Sequence, residues 1–564
     1  MSERDATTAF ARALVDEWAR AGLTDAVVSP GSRSAPLALA LARNERVRVH
    51  VVLDERSAAF RALGLGLSTG RPAVVCCTSG TAAANFHPAV IEASYARVPL
   101  LVCTADRPPE LHDAGAGQTI DQTHLYGRTV RWFCEPGPPA DDPGVGATWR
   151  AVASRAYAET LGDVPGPVHC NLAFREPLLP TGAPLVDAPA RAGGQPWTRS
   201  APTVRASPPA DVARLVDRVR ANPRGLFIAG WGAGVAPETA ERFAAAAGWP
   251  VLADPISQLR SGAHAVSAYE ALLRAGTFAD SHRPDLVVRV GAALTSKIAT
   301  AWLDPAVPQV LVDPHDDWLD PHHALSERYV ADADRLLGAV AAALESPSAS
   351  PWLADWQTAE QRARAALDRT LDASPVPCEG LIARDLAAAL PDGATLVVAS
   401  SVPVRALEWC MAPRTGLRVL ANRGANGIDG FVSTVVGVAQ ANPSARTVAL
   451  TGDLGFLHDV NGLLGATATA TFVVVDNDGG GIFSYLPPAD LPEFERLFAT
   501  PHGLDLVEVA RAHGAAAERI DDVGKLVETA RAPSEGLRVL VAPLDRAASV
   551  ERHRALWDAV AEAL

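Results

Sequence analysis

Lysine is almost absent from this sequence. Of its 50 basic residues only Lys297 and Lys525 are lysines, and the others are arginines. The 64 acidic residues outnumber the basic ones and give a net charge of −14. A field of that sign opposes broad binding to nucleic acid or to anionic membrane surfaces, so neither is expected as a partner. Local basic pockets stay possible, and a lysine retained in such a chain is a candidate for function.

Long apolar runs and paired cysteines are also missing. No apolar run is long enough for a membrane-spanning helix, so no stable membrane insertion is expected. The N-terminus carries acids throughout and predicts an amphipathic helix with Phe10, Leu14 and Trp18 inward, not a signal peptide. The seven cysteines lack C-x-x-C spacing, which favours buried reduced thiols over a disulfide or metal framework. These absences together predict a soluble cytoplasmic protein.

The apolar content is sufficient for several hydrophobic cores. The chain has 564 residues, 48% of them hydrophobic, and at roughly 150 residues per domain it should form three or four domains. Glycine and proline, 44 residues each, make up about 16%, below the roughly 25–30% of low-complexity chains. Short β-rich runs alternate with helical stretches throughout. This rhythm predicts an α/β protein of three doubly wound domains with mostly parallel sheets.

Two linker-like stretches divide the chain. Pro180–Val204 is rich in proline, glycine and alanine, and Ser346–Pro351 reads SPSASP. They predict domains at residues 1–180, 205–345 and 376–564. The strands predicted from apolar runs are 26–29, 49–53, 73–78 and 100–104 in the first domain, 225–229, 250–253, 286–290 and 309–312 in the second, and 395–399, 418–421, 447–451, 471–475 and 537–541 in the third.

Two acidic segments in the third domain each follow an apolar strand. They read VALTGDLGFLHDVNGL (Val448–Leu463) and TFVVVDNDGGGIF (Thr471–Phe483). Either segment alone could be a simple turn, because Asp and Asn beside Gly are common turn formers. Asp453 and Asn477, however, are separated by about one crossover helix and should meet at the ligand-binding edge of a parallel sheet. Their oxygens suit Mg²⁺ or Ca²⁺ with a phosphate ligand, which the neighbouring glycines would let approach closely.

This pair of segments resembles the cofactor motif of thiamine-diphosphate enzymes. That family usually has Asn-Asn where this chain has Asp476–Asn477, but its metal ligand is the second residue of the pair. The resemblance implies that Asp453, Asn477 and the Gly479 carbonyl hold Mg²⁺ (or Mn²⁺), which anchors thiamine diphosphate. It also implies cofactor contacts by Ser79, Gly80, Ser400, Ser401, Ile428, Gly452, Leu454, Gly455, Ile482 and Phe483.

A thiamine-diphosphate enzyme also requires a glutamate at the aminopyrimidine ring of the cofactor. In HVVLDERSAAF, Glu55 follows a strand and opens a helix; by itself it could be only a helix-capping acid beside Asp54. With the downstream motif present, the resemblance implies that Glu55 is catalytic and that CCTSGTAAANF (Cys76–Phe86) backs the pyrimidine. The domains would then be, in order, pyrimidine-binding, Rossmann-like and diphosphate- and metal-binding.

Further motifs narrow the family. They are SPGSRSAPLALAL (Ser29–Leu41), TADRPPEL (Thr104–Leu111), GAGQTIDQ (Gly115–Gln122), SSVPVRALEW (Ser400–Trp409) and ANRGANGIDGFVST (Ala421–Thr434). Together they resemble the 2-succinyl-5-enolpyruvyl-6-hydroxy-3-cyclohexene-1-carboxylate synthases of menaquinone biosynthesis, over the first and third domains and only faintly in the middle. The resemblance implies decarboxylation of 2-oxoglutarate and 1,4-addition of the resulting carbanion to isochorismate, by a homodimer or homotetramer.

Arginines in these motifs fit that chemistry, because both substrates are dicarboxylates and guanidinium forks bind carboxylates in a bidentate way. A single arginine is more often a surface charge, but four lie in family-like motifs: Arg33, Arg107, Arg405 and Arg423. The resemblance adds Ser32, Gln118 and Ser401 as neutral hydrogen-bonding partners. Lys297 stands where the family often has a basic pair, and Ile298 leaves the second charge missing.

The resemblance gives the apolar site residues roles as well. Ile428 would bend the cofactor, while Ile482 and Phe483 would exclude water from the reacting carbon. Three alternatives remain open: another thiamine-diphosphate decarboxylase or carboligase of the acetohydroxyacid-synthase type, a dehydrogenase using the glycines of Gly225–Val235, and a cofactor-binding regulator without turnover. The glycine loop has G-x-G-x-G spacing and not G-x-G-x-x-G, which disfavours the dehydrogenase.

Overall fold

Three parallel sheets, each with helices on both faces, make up the computed structural model. It describes residues 4–201, 203–344, 350–374 and 376–564. Every strand pair within these sheets is parallel. Because parallel strands need crossover helices, both faces of each sheet are covered and most interior strands are strongly apolar. The predicted α/β class with three doubly wound sheets is confirmed.

The first unit contains a six-stranded sheet in the order β2-β1-β3-β4-β6-β5. Its strands are β1 Asp25–Val28, β2 Arg48–Val51, β3 Ala73–Cys77, β4 Leu100–Asp106, β5 Trp132–Cys134 and β6 Pro167–Ala173. Its helices are α1 Ala6–Ala21, α2 Ala35–Ala42, α3 Glu55–Thr69, α4 Thr81–Asn85, α5 His87–Tyr95 and α6 Val145–Thr160.

The second unit contains a five-stranded sheet in the order β11-β10-β9-β7-β8. Its strands are β7 Gly225–Ala229, β8 Val251–Ala253, β9 Leu286–Val290, β10 Gln309–Asp313 and β11 Leu325–Val330. Its helices are α7 Pro209–Ala221, α8 Pro237–Ala247, α9 Tyr269–Arg274, α10 Gly276–Ser281, α11 Lys297–Trp302 and α12 Ala333–Leu344.

The third unit repeats the topology of the first, in the order β13-β12-β14-β15-β17-β16. Its strands are β12 Thr395–Val398, β13 Arg418–Leu420, β14 Thr447–Gly452, β15 Ala470–Asp476, β16 Ala516–Arg519 and β17 Leu537–Pro543. Its helices are α13 Pro351–Asp372, α14 Glu379–Ala389, α15 Val402–Cys410, α16 Phe431–Ala441, α17 Asp453–His458, α18 Leu506–Ala512, α19 Val523–Arg531 and α20 Arg546–Ala563.

The first and third units meet through helices α3 and α16, which cross at two glycines. A Cβ at Gly64 would lie 2.2 Å from the carbonyl oxygen of Thr434, and one at Gly437 would lie 2.2 Å from that of Arg61. Any other residue at either position would force the helices apart. Since α3 begins at Glu55, this close packing fixes the helix that carries a predicted catalytic residue.

Several details differ from the sequence predictions. Strands β5, β6, β11 and β16 were not predicted. The stretch expected as a free linker at Pro180–Val204 packs instead on the first unit: Val186 is buried, and the Trp197 amide donates to the Glu17 carboxylate. The second linker, Ser346–Pro351, lies mostly outside the described residues. All seven cysteines are buried and free, and none of the described helices is long and apolar enough to cross a membrane.

Candidate active site

A cavity of about 600 Å³ opens at the carboxyl edge of the third sheet. It lies where the strand order reverses, between β12 and β14, which is where open α/β sheets bind ligands. All of the predicted site residues of the third unit line it, together with one from the second unit: Lys297, Ser400, Ser401, Arg405, Arg423, Ile428, Gly452, Asp453, Leu454, Gly455, Asn477, Gly479, Ile482 and Phe483.

One end of the cavity presents oxygen ligands. Asp453 is the first residue of α17, directly after β14, and its carboxylate accepts hydrogen bonds from the amides of Leu454 (2.6 Å) and Gly479 (2.8 Å). The Oδ1 atom of Asn477 is buried and has no hydrogen-bond partner among the described residues. Gly479 has φ 140°, and a Cβ there would lie 2.2 Å from the Ala499 carbonyl oxygen. The close turn that brings these oxygens together therefore requires glycine.

The electrostatics of this end favour a cation. Burial raises the pKa of Asp453, the neighbouring Asp476 raises it further, and the two amide hydrogen bonds offset only part of this effect. His502, which the sequence analysis did not single out, places Nε2 3.4 Å from Asp453 Oδ2 and 3.7 Å from Asp476 Oδ1. A divalent cation would neutralise the buried Asp453 carboxylate and would give Asn477 Oδ1 the partner that it lacks. The residues therefore fit Mg²⁺ or Mn²⁺.

Glu379, at the start of α14, lies behind Asn477 and was also missed. Its Oε1 accepts the Asn477 Nδ2 at 3.4 Å, and its Oε2 accepts the Ser549 hydroxyl from helix α20. Burial raises the pKa of Glu379 to about 7, and the charge of Asp453 adds to this shift. Because the Asn477 amide nitrogen points towards Glu379, its oxygen points away from it.

Other residues of the cavity lining are positively charged. Arg405 lies on α15 and donates from Nη1 to the Ser401 carbonyl at 2.6 Å, while Arg423 donates from Nη2 to the Thr295 hydroxyl at 3.3 Å. Burial lowers the pKa of both guanidinium groups, and the charge of Arg423 lowers that of Arg405 further. Within the described chain neither forms a salt bridge shorter than 4 Å. Exposed Lys297 also lines the cavity, so three cations are available to an anionic ligand.

Ser401 also lines the cavity, and its backbone is strained. It lies at the N-terminus of α15 with φ 76° and ψ −134°, a conformation that non-glycine residues rarely adopt. Such strain is retained mainly at binding and catalytic sites. Ser400 precedes it and donates its hydroxyl to the Asn422 carbonyl at 3.3 Å, which links the ends of the neighbouring strands β12 and β13.

The predicted residues of the first unit lie elsewhere, at the corresponding edge of the first sheet. The Ser79 hydroxyl accepts from Arg107 Nη1 and donates to the Gln118 carbonyl at 2.9 Å, and Gln118 Nε2 donates to the Ser79 carbonyl at 3.2 Å. The Gly80 amide donates to Gln122 Oε1 at 2.8 Å. Gln122 is buried, and its role in fixing this loop was not predicted.

Arg33 and Arg107, the two arginines of this edge, differ in how many of their hydrogen-bond donors are already used. Burial lowers the pKa of Arg107, and the nearby positive charge of Arg33 lowers it further. Arg33 is buried and already donates to the Phe174 carbonyl at 2.9 Å and to Glu176 at 3.4 Å. Ser32 is exposed. The Ser32 hydroxyl and the guanidinium groups of Arg33 and Arg107 therefore lie along one edge of the first sheet.

Glu55 opens helix α3, where Asp54 caps the helix by accepting the Ser57 amide at 3.3 Å. No side-chain hydrogen bond to the Glu55 carboxylate occurs among the described residues. None of the first-unit candidates lines the cavity of the third unit. The structure therefore forms two separate groups of predicted site residues within one chain.

Comparison with family models identifies all three units. Residues 8–125 match the N-terminal TPP binding domain of thiamine pyrophosphate enzymes, and residues 409–541 match the C-terminal TPP binding domain of the same enzymes. Residues 192–398 match a model described as the middle domain of thiamine pyrophosphate. Glu55, Ser79 and Arg107 thus lie in the N-terminal match, and Asp453, Asn477 and Gly479 lie in the C-terminal match. The middle region, whose resemblance in the sequence is faint, matches a family model of the same enzymes.

Known proteins similar to this chain agree on a narrower family. A 2-succinyl-5-enolpyruvyl-6-hydroxy-3-cyclohexene-1-carboxylate synthase from Thermobifida fusca is 46% identical over 99% of both chains. The synthase of the same name from Geobacillus kaustophilus is 42% identical over 99% of this chain and 98% of its own length. A solved thiamine-diphosphate-dependent 4-hydroxybenzoylformate decarboxylase from Rhodococcus jostii shares the fold, with a TM-score of 0.71 over 95% of this chain and 99% of its own, at 17% identity. This chain is a thiamine-diphosphate-dependent enzyme that belongs to the 2-succinyl-5-enolpyruvyl-6-hydroxy-3-cyclohexene-1-carboxylate synthase family.

Proposed function

We propose that this chain decarboxylates 2-oxoglutarate and joins the remaining four-carbon unit to isochorismate by 1,4-addition, forming 2-succinyl-5-enolpyruvyl-6-hydroxy-3-cyclohexene-1-carboxylate. The observation that carries the proposal is the set of residues that lines one cavity. The oxygen ligands Asp453 and Asn477 and the cations Arg405, Arg423 and Lys297 line it together. A diphosphate bound through a metal at the oxygen ligands (the metal end) would leave the cations (the positive end) free for substrate carboxylates.

The metal end would hold Mg²⁺ or Mn²⁺ through Asp453, Asn477 Oδ1 and the Gly479 carbonyl. Thiamine diphosphate, when bound, supplies a thiazolium carbon that adds to the keto group and accepts the electron pair released with CO₂. Gly452, Leu454 and Gly455 line the same end, where their backbone allows close approach of the diphosphate. Ser400, Ser401 and Ile428 would contact the rest of the cofactor. Ile482 and Phe483 would cover the reacting carbon and exclude water.

The positive end would bind the substrates. Arg405 and Arg423 are partly buried and carry no carboxylate partner within the described chain, so each retains a fork for a substrate carboxylate. Lys297 projects from the second unit and would add a third charge. The Ser401 hydroxyl would supply a neutral hydrogen bond. Ser32, Arg33, Arg107 and Gln118 at the first-unit edge would complete the substrate site from a second copy.

A homodimer would be the minimum active unit; a homotetramer would contain two such pairs. The reason is the separation within one chain: Glu55, Ser79 and Gly80 lie at the first-sheet edge and do not line the cavity that holds Asp453. If the first-unit edge of one copy faces the third-unit cavity of another, Glu55 reaches the aminopyrimidine ring. There its carboxylate would share a proton with the ring nitrogen and so promote deprotonation of the thiazolium carbon.

The first test is turnover of 2-oxoglutarate with isochorismate, with and without thiamine diphosphate and Mg²⁺, measured as CO₂ release and product formation. Product requiring both substrates and the cofactor is expected. CO₂ release without incorporation of isochorismate would instead support a simple 2-oxoacid decarboxylase. An absence of turnover despite tight cofactor binding would support a regulator.

A second test addresses the metal end. Asp453→Ala should abolish binding of thiamine diphosphate with Mg²⁺, because two phosphate charges lose their cation, while the fold is retained. Calorimetric titration of the cofactor measures this. Asp521→Ala serves as the control, since Asp521 is an exposed carboxylate of the same unit that pairs with Arg519 at the surface. Wild-type affinity in Asp453→Ala would remove Asp453 from the metal site.

A further inference from the structure

Glu92, on helix α5 of the first unit, is a buried carboxylate that reaches into the third unit. Only 3% of the residue is exposed. Its Oε1 accepts the Gly424 amide at 2.7 Å and its Oε2 accepts the Ala425 amide at 2.6 Å. Each carboxylate oxygen therefore accepts a hydrogen bond from one of two consecutive backbone N–H groups. A carboxylate is the one side-chain group with two acceptor oxygens side by side.

The segment held in this way, residues 421–430, connects β13 to α16 and has no regular structure. It nevertheless carries Arg423, Asn426 and Ile428 into the cavity. It lies directly against the end of α5, because a Cβ at Gly424 would be 2.5 Å from the Ala96 amide nitrogen and 2.6 Å from the Glu92 carbonyl oxygen. The position of the segment relative to the cavity is thus set by α5.

The neighbouring residues explain why this anchor matters for Arg423. Its guanidinium makes one side-chain hydrogen bond, to the Thr295 hydroxyl at 3.3 Å, and its buried Nε has no partner among the described residues. One long hydrogen bond fixes a guanidinium weakly. The orientation of Arg423 therefore depends on its own backbone, which adjoins the Gly424 amide held by Glu92.

We propose that Glu92 is a positioning residue for the active site: it holds the Gly424 and Ala425 amides so that Arg423 faces the bound substrate. This rests on the proposed function. The first unit then serves two sites, since its Glu55 edge would complete the cavity of a second copy while Glu92 supports the cavity of its own chain. The substrate class recognised through Arg423 is a carboxylate, so Glu92 acts on substrate affinity.

The test is Glu92→Gln, which is nearly isosteric but has one acceptor oxygen, so one of the two amides faces an NH₂ group. We expect the KM of one dicarboxylate substrate to rise about 5- to 20-fold, with kcat and the affinity for thiamine diphosphate and Mg²⁺ changed less than threefold. In an Arg423→Ala background the same substitution should change KM less than twofold. A purely structural role would give equal effects in both backgrounds and would overturn the proposal.

Hydrogen exchange of the cofactor-free protein provides a readout that does not require activity. In Glu92→Gln the amides of peptide 421–430 should exchange at least tenfold faster, while those of 447–452 keep their rate. Glu159→Gln is the control: Glu159 is a half-buried glutamate on α6 paired with Arg155, and its substitution should alter neither exchange nor KM. If the wild type shows no turnover, the proposed function fails but exchange still tests the anchor. Unchanged exchange would overturn the role of Glu92.

Glu92→Asp addresses the possibility that Glu92→Gln does not fold. Aspartate keeps the charge and both acceptors but is one methylene shorter, so it can reach one amide, and we expect an intermediate rise in exchange and KM. Unfolding of both variants, seen by circular dichroism, would make Glu92 a determinant of folding and would also overturn the positioning role.

Discussion

Replacement of Gly437 by alanine should destabilise the contact between the first and third units. The new Cβ would lie 2.2 Å from the Arg61 carbonyl oxygen and 3.0 Å from Gly64 Cα, whereas ordinary contacts are 3.4 Å or longer. Helices α3 and α16 must therefore separate by about 1 Å, and neither atom belongs to a flexible side chain that could move aside. Overpacking of this kind typically costs about 1–3 kcal/mol.

Two buried hydrogen bonds across the same contact would be strained by that separation. The Ser57 hydroxyl donates to Asp459 at 3.0 Å, and Arg61 Nη2 donates to the Gly462 carbonyl at 2.8 Å. A buried polar group left without its partner costs about 1–3 kcal/mol. Alanine is favoured over glycine within a helix by about 1 kcal/mol, which offsets part of the loss. We expect a net destabilisation of about 2–4 kcal/mol.

The assay is a comparison of thermal and urea midpoints with those of a matched helical glycine. Gly338 lies within α12, and a Cβ there would be 3.7 Å from Thr239 Cγ2, an ordinary contact. Gly338→Ala should be neutral or stabilising by up to about 1 kcal/mol. If Gly437→Ala proves as stable as Gly338→Ala, the argument that close backbone packing holds the two units together is wrong.

Three further predictions concern single side chains. Glu55→Gln should keep cofactor affinity but lower activity by about 10²–10⁴-fold. Exchange of the thiazolium C2 proton, followed by NMR, should slow in parallel, and unchanged exchange would mean that another group activates the cofactor. Arg405→Ala should raise the KM of one substrate about 10- to 150-fold, and Arg405→Lys should restore that KM only in part. KM values of Arg405→Ala within twofold of the wild type for both substrates would remove Arg405 from the substrate site. Burial lowers the pKa of His553 to about 4. The unfolded chain therefore binds a proton as pH falls through about 6.5 and the folded chain does not, so about 3 kcal/mol of stability should be lost by pH 4. His553→Gln should show a smaller drop in melting temperature between pH 7 and pH 5, and an equal drop would contradict the assignment.

Much of the fold was predictable because parallel strands buried on both faces appear as apolar runs. Strands β5, β11 and β16 were missed because each lies at the edge of its sheet and is short or polar. Strand β6 is interior, yet it contains His169 and Asn171. Those side chains are buried because they bond to Thr104 across the sheet, both at 2.8 Å, and a single sequence does not reveal such a network.

Part of the candidate site could likewise be predicted from the sequence, and part of it could not. Motifs were enough to predict that Asp453, Asn477, Arg405 and Arg423 lie near one another, because each follows a strand end in a recognisable spacing, and all four line one cavity. Glu92, Glu379 and His502 were not found. Each acts on another residue of the site from a distant part of the chain, and nothing near it in the sequence marks that relation. Their positions follow only from the packing of α5, α14 and the 500–505 loop around the cavity.

The repeated topology of the first and third sheets gives these observations a common cause. Both sheets reverse their strand order at the corresponding place: Asp453 and Arg405 line the cavity at this edge of the third sheet, and Ser79 and Arg107 meet at the same edge of the first sheet. Within one chain the α3–α16 contact joins the two units, and none of the first-unit candidates lines the third-unit cavity. The homodimer proposed above would bring the two sheet edges together. Because α3 and α5 pack on each other, the helix that begins at Glu55 also contacts the helix that carries Glu92.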